Sequence, residues 1–253
     1  MTAISLHARA SDSFETKLAH TTAVLTSAAA EHGSRIVQAS SLGAEDMVIT
    51  DLIARQHLPI AIGTLDTGVL HGETLALLAR IEAHYGLHVE SMQPAREAVV
   101  HFVARHGVRA MVQSIELRKA CCAVRKLEPL GRLLAGKSAW ITGLRREQSG
   151  HRAAVPFSER ETNGRLKLNP LADWTWGDVW HYIAINDVPY NPLHDQFFPS
   201  IGCAPCTRGV ALGEDERAGR WWWEGEQSKE CGLHGSSQRV PGGVEDRAES
   251  EAA

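Results

Sequence analysis

Arg35-Ile36-Val37-Gln38-Ala39-Ser40-Ser41-Leu42-Gly43-Ala44-Glu45-Asp46 reads as a strand, a turn and the opening of a helix. Arg35 to Ala39 is a short buried strand, Ser40 to Gly43 the turn, and Ala44 to Arg55 the helix. A turn of this kind presents backbone N–H groups at a helix N-terminus, which favours anions. It lacks the Gly-Lys-Ser/Thr of a Walker loop. Glu45 and Asp46 in the first helical turn are expected from the helix dipole alone.

The same unit repeats outward from this stretch. Ile60 to Leu65 predicts a second strand running into Asp66-Thr67-Gly68, followed by a helix from Glu73 to Tyr85 that Gly86 closes. Leu87 to Ser91 is a third strand and Ala95 to Arg105 a helix. A helix over Ile115 to Leu134 precedes a fourth strand, Ala139 to Thr142, which ends in Gly143. Lys167 to Leu171 is a fifth strand and Trp176 to Asn186 a helix. Upstream, Asp12 and Glu15 form a capping-box pattern ahead of an alanine-rich helix that runs to Glu31. Strands alternating with helices predict an α/β fold, a mostly parallel sheet with helices on both faces. Ligands in such sheets bind beyond the carboxyl ends of the strands. Small or polar residues gather at three of those ends: Ser40-Ser41, Asp66-Thr67-Gly68, and Gly143 with Arg145-Arg146.

After Asp195 the periodicity fades, and glycines, charges and Trp221 to Trp223 take over. This predicts a C-terminal segment folding back over the sheet. Residues 1–234 are expected to form a single domain, with a core at about 35–208 and a tail at about 209–234. The polar stretch 235–253 is expected to be disordered.

Bulk composition narrows the function classes. The 253 residues carry a formal net charge of −4, which argues against a protein built to grip nucleic-acid backbone. No apolar run approaches the roughly 20 residues that span a bilayer, and no signal-peptide centre is seen, so the expectation is a cytoplasmic protein that sits in no membrane. Thiols stay reduced there, and five cysteines point to metal binding or catalysis rather than a disulfide frame.

Cys121-Cys122 and Cys203-Ala204-Pro205-Cys206 are the sharpest pattern. Two adjacent thiolates reach one tetrahedral ion only with strain, whereas the separate irons of a cluster each need one sulfur. Zinc stays open on spacing alone, as does a reading in which Cys121 and Cys122 are small core residues. Cys231 stands apart in Lys229-Glu230-Cys231-Gly232-Leu233-His234. Neighbouring cations such as Lys229 and His234 would raise its thiolate fraction, and Glu230 works against them. An incidental surface cysteine is the alternative. Among basic residues, Arg145, Arg146 and Arg152 follow a strand end, Lys126 lies one helical turn past Cys122, and Arg217 and Arg220 precede the tryptophans. Arginine forks suit sulfate and phosphate, although any one of these taken singly reads equally as a surface charge.

Together these segments resemble the assimilatory sulfonucleotide reductases, in particular the cluster-containing bacterial adenylyl-sulfate reductases. The resemblance spans roughly residues 35 to 234 and rests on the Cys-Cys, Cys-x-x-Cys and Glu-Cys-Gly-Leu-His combination. It implies an adenine-nucleotide α-hydrolase-like fold, related to ATP pyrophosphatases, and a [4Fe–4S] cluster on Cys121, Cys122, Cys203 and Cys206. It implies that adenosine 5′-phosphosulfate (APS) is reduced to sulfite and AMP through an S-sulfocysteine on Cys231, which thioredoxin then resolves. His234, Lys126, Arg217 and Arg220 match family positions around the phosphosulfate. Ser40, Ser41, Gly43, Leu65 and Gly143 would border the nucleotide. A homo-oligomer is compatible with the resemblance. Its rivals are a reductase of the 3′-phosphorylated substrate (PAPS) or of both nucleotides, an ATP-dependent tRNA-thiolating enzyme, and a zinc-stabilised binding module. The tRNA enzyme would want a Ser-Gly-Gly-x-Asp-Ser loop and a basic face, which this chain lacks.

Overall fold

Ile36 and Val37 are completely buried, and β1 (Ile36–Ser40) takes the centre of a six-stranded sheet. The computed structural model describes residues 1–225. β2 (Ala61–Leu65) and β3 (Val89–Met92) extend the sheet to one side of β1. On the other side lie β4 (Ala139–Ile141), β6 (Leu166–Leu168) and β5 (Ser158–Arg160), giving the order β3-β2-β1-β4-β6-β5. All pairings are parallel except β5 with β6. The chain thus steps outward from β1 to β3 and returns on the far side of β1 as β4. That reversal separates the loops after β1 and β4, the place where doubly wound sheets hold ligands.

Helices α2 (Phe14–His32), α3 (Ala44–Arg55) and α8 (Trp176–Asn186) contribute to the main core, together with α1 (Ala3–His7) and α4 (Gly72–Tyr85). α3 is enclosed almost all round, with every residue from Asp46 to Ile53 buried. Gln38 of β1 ties it down, donating to Asp46 O (2.8 Å) and accepting from Thr50 Oγ1 (3.0 Å). On the opposite face Leu130, Leu133 and Leu134 pack on Val37 and Trp140. A third cluster joins Phe102 of α5 (Arg96–His106) to the cysteines and Trp221.

Asp178 heads α8 and anchors the N-terminal segment. It accepts from Ser11 N (2.7 Å), Lys17 Nζ (2.8 Å) and Thr175 N (3.0 Å). Burial opposes its charge, but these donors hold the carboxyl down at about 2.

α3 and α8 match the sequence expectation residue for residue, and most other boundaries lie within two residues of it. Five details differ. α1 was not expected from the sequence; a capping box at Thr2 opens it. β5 was not foreseen; it is a three-residue edge strand, held in part by a Lys167–Glu159 ion pair at 2.6 Å. β6 stops at Leu168, short of the expected Leu171, because Pro170 cannot donate to a ladder. The helix expected over 115 to 134 is α6 (Ile115–Cys122), a π-turn (Ala123–Leu127) and α7 (Glu128–Leu133). The capping box at Asp12 is not formed: Ser13 is the N-cap and makes no side-chain cap bond.

Candidate active site

A cavity of about 200 Å³ opens where the ends of β1, β2 and β4 meet. Ser40, Ser41 and Gly43 form one wall, Leu65 and Thr67 a second, and Gly143 a third. The first loop is bent sharply: Leu42 has φ +59, and Ser40 Oγ accepts from Leu42 N at 3.1 Å. Ser41 donates both its N–H and its hydroxyl to Asp46 Oδ2, each at 2.6 Å. Burial still pushes the Asp46 carboxyl up to about 6. Burial also works against the charge of Glu45, but Arg145 and Gln148 overcome it and hold that carboxyl below the usual range.

The cysteines adjoin this cavity. Cys121, Cys122, Cys203 and Cys206 are all buried, and they surround a small gap shared with Val69, Met111, Arg118, Arg125 and Trp221. The π-turn begins at the residue after Cys122 and sets the direction of Arg125 and Lys126. Arg125 donates to Thr67 O (2.7 Å), and Thr67 Oγ1 lies 3.2 Å from Cys203 Sγ. The second strand-end loop is thereby fastened to the cysteine centre. Burial pushes the Cys206 thiol up to about 11 and raises that of Cys121. Among the described residues no three His, Cys, Asp or Glu side chains are arranged to hold a single metal ion. Lys126 and Cys203 belong to both spaces, lining the gap and the cavity alike.

Arg217, Arg220 and Trp221 complete the cavity from the C-terminal segment. That segment lies along the Cys203–Cys206 turn through a Thr207–Arg220 bridge and a Trp221 N to Cys206 O bond of 3.1 Å. Gly202 leaves room for the Arg220 guanidinium, which a Cβ at that position would displace.

The structure therefore gathers Ser40, Ser41, Gly43, Leu65, Lys126, Gly143, Arg217 and Arg220 around one space. Arg145 and Arg146 are placed elsewhere. Arg145 is fully buried and bonds Glu45 (2.9 Å), with Glu147 and Glu216 each at 3.4 Å and its guanidinium 5.1 Å from the Trp176 ring centre. Arg146 donates to Val155 O (2.9 Å) and covers Phe157. Their place in the cavity wall is taken by Arg152, which the sequence had grouped with them. Sequence reading also missed His194 and Glu216. His194 is buried, and burial lowers its pKa to about 4 and keeps the ring neutral, while burial pushes Glu216 up to about 7. Neither belongs to a motif, and only the folded chain brings them to the cavity. Cys231 and His234 lie outside the described residues.

Comparison with known proteins follows this geometry. A family model described as the phosphoadenosine phosphosulfate reductase domain matches residues 35–209. The chain is 58% identical to the adenosine 5′-phosphosulfate reductase of Allochromatium vinosum over 79% of its own length and 78% of that protein. It is 53% identical to the protein of the same name from Burkholderia cepacia, over 81% and 82% of the two chains. Among solved structures, phosphoadenylyl-sulfate reductase from Candida auris matches with a TM-score of 0.63 and 27% identity, covering 78% of this chain and 97% of that one. FMN adenylyltransferase of Candida glabrata, 13% identical with a TM-score of 0.52 over 90% of this chain and 81% of that one, shares the fold.

Proposed function

The chain belongs to the phosphoadenosine phosphosulfate reductase domain family, and from that premise we propose that it is an oxidoreductase reducing APS to AMP and sulfite in sulfate assimilation. The observation that carries the choice of APS is the quartet of buried cysteines sharing Lys126 and Cys203 with the strand-end cavity. The names of its 58% and 53% identical relatives agree with it.

The quartet fits a [4Fe–4S] cluster. Four thiols, all buried, surround one gap. Thiols so desolvated resist ionisation on their own, and iron supplies the positive charge that stabilises four thiolates. Bound there, the cluster would supply a fixed charge centre behind Lys126. The remaining steps belong to the chain's own side chains.

Adenosine is seated among Ser40, Ser41, Gly43, Leu65 and Gly143, and the phosphosulfate faces Lys126, Arg217 and Arg220. The described chain ends at Gly225, and Cys231 follows six residues later, within roughly 20 Å of extended chain. We assign its thiolate to the cavity as the nucleophile. The thiolate attacks sulfur, a new S–S bond forms, the S–O bond breaks, and the electron pair leaves with AMP. Negative charge grows on the departing phosphate, so fixed cations lower the barrier. We assign His234 to the same anion. A dithiol protein of the thioredoxin kind then attacks Cys231, takes the disulfide and frees sulfite. No cysteine other than the quartet and Cys231 exists in the chain to do this internally.

Among the described residues no helix is long and apolar enough to cross a membrane, and a cytoplasmic site suits an exchange with a reduced dithiol. The 27% identity to a phosphoadenylyl-sulfate reductase keeps PAPS as the second substrate to test. The decisive experiment is sulfite release from APS with thioredoxin, comparing the native chain with Cys231→Ser. Turnover and a sulfonate mass on the native chain, both absent in the variant, are expected. Faster reduction of PAPS than of APS overturns the substrate assignment.

A further inference from the structure

The segment from Glu216 to Glu224 is held at both ends by a buried arginine. At one end Glu216 meets Arg145, whose side chain is completely buried, at 3.4 Å. The same guanidinium bonds Glu45 at the start of α3, just past the first strand-end loop. At the other end Glu224, 4% exposed at its side chain, accepts from fully buried Arg118 of α6 at 2.6 Å. Arg118 also lies 4.4 Å from the Trp221 ring centre, and Arg220 lies 4.7 Å from it, so both guanidinium groups engage one indole. Between the two ends Arg217, Arg220 and Trp221 face the cavity.

Burying an arginine costs several kcal/mol of lost hydration unless partners compensate. Two such residues at the ends of one nine-residue segment are more than surface pairing would require. Ordinary packing would place apolar residues there at lower cost. What ion pairs add over apolar packing is register, since a fork and a carboxylate meet in few geometries. A one-residue slip of the segment would turn Arg217 and Arg220 out of the cavity.

We propose that Arg145 and Arg118 are positioning residues, which pin Glu216 and Glu224 so that Arg217 and Arg220 are presented to the phosphosulfate. This rests on the reading of the cavity as an APS site. Arg145 then acts on the anion through another residue and not by contact. Its bond to Glu45 also links the cation-bearing segment to the loop that seats the nucleoside, so both halves of the substrate are referred to one buried guanidinium.

The test uses the full chain with Glu224→Gln and Arg118→Lys, and measures equilibrium binding of APS and of adenosine. Adenosine shares the nucleoside and lacks the anion. Each variant is expected to weaken APS binding about tenfold, as for loss of one charge-assisted bond, and to leave adenosine binding within about twofold. Glu224→Asp, which keeps the charge, should fall between native and Glu224→Gln. A merely structural role would lower the unfolding temperature and leave the ratio of the two affinities unchanged, and that result overturns the proposal. A native chain that binds APS no more tightly than adenosine overturns it as well. A native chain that binds APS tightly but never releases sulfite would instead overturn the functional reading and leave the pinning intact.

Discussion

A Cβ on Gly143 would stand 2.6 Å from Asp46 Oδ1 and 2.9 Å from Glu45 Cβ. The end of β4 therefore presses directly on the first turn of α3, with no room for a side chain. Two of the three strand ends that build the cavity touch through this contact. Gly143→Ala is expected to push the Ser40–Asp46 loop away and raise the KM for APS by tenfold or more. The fold should survive, because the strain falls on a loop and not on the sheet. Steady-state kinetics with circular dichroism as a control measures this, and an unchanged KM would show that the loop does not seat the nucleotide.

Asp46 makes a stability prediction of definite sign. Its carboxyl is raised to about 6 in the folded chain from an ordinary value near 3.8. The neutral form thus favours folding, and that advantage is present below about pH 4 and lost as pH rises through 6. Asp46→Asn keeps an acceptor for both Ser41 donors and cannot ionise. Above pH 6 it is expected to be more stable than the native chain, by up to about 3 kcal/mol, and below pH 4 equal to it. Denaturant midpoints at the two pH values check this.

Asp178 gives the opposite sign. Its carboxyl is lowered to about 2 from 3.8 by Lys17, Ser11 and Thr175. The stabilisation is present above pH 4 and fades as pH falls towards 2. Asp178→Ala also leaves buried donors without an acceptor and should cost roughly 3 kcal/mol at neutral pH. The N-terminal segment, held to α8 by this residue, should become the first site of proteolysis.

Iron is expected to follow the quartet. Cys121→Ser, Cys122→Ser, Cys203→Ser or Cys206→Ser should each lower bound iron and abolish APS reduction, and chelation of the native chain should do the same. Thr67→Val removes the hydroxyl 3.2 Å from Cys203 Sγ. It should retain iron and lose activity by about tenfold, because the hydroxyl only orients one ligand. Metal analysis beside sulfite release separates the two cases, and a zinc-loaded native chain would defeat the cluster assignment.

Much of the architecture was legible because it rests on local rules. Thr175 caps α8 with its side chain on Asp178 N, and Gly43 opens α3. Short apolar clusters, Ile36-Val37, Ile60-Ala61-Ile62 and Ala139-Trp140-Ile141, marked β1, β2 and β4. β5 escaped because Ser158-Glu159-Arg160 carries no apolar residue, and an edge strand needs none. The π-turn escaped because Ala123–Leu127 is only five residues long and buries none of them, too little apolar pattern to reveal a shift of phase. The grouping of cavity residues at strand ends followed from the parallel sheet, a consequence of topology that sequence alternation already contains. Arg145 shows where that logic stops. An arginine after a strand suits an external anion or an internal carboxylate equally well. Its partners Glu45 and Glu216 lie 100 and 71 residues away along the chain. Only the closed fold decides between the two.

Glu224 is the last side chain that the Arg118 bond fixes, and Cys231 comes seven residues further on. A thiol on so short a tether has an effective concentration on the order of millimolar near the cavity, whatever the amount of enzyme in solution. On the proposed mechanism, sulfonation of the thiol should therefore proceed at the same specific rate in dilute and concentrated protein. Regeneration, in the same proposal, would draw on a separate molecule and scale with its supply, so scarcity of reductant would leave the enzyme loaded and waiting with AMP already gone.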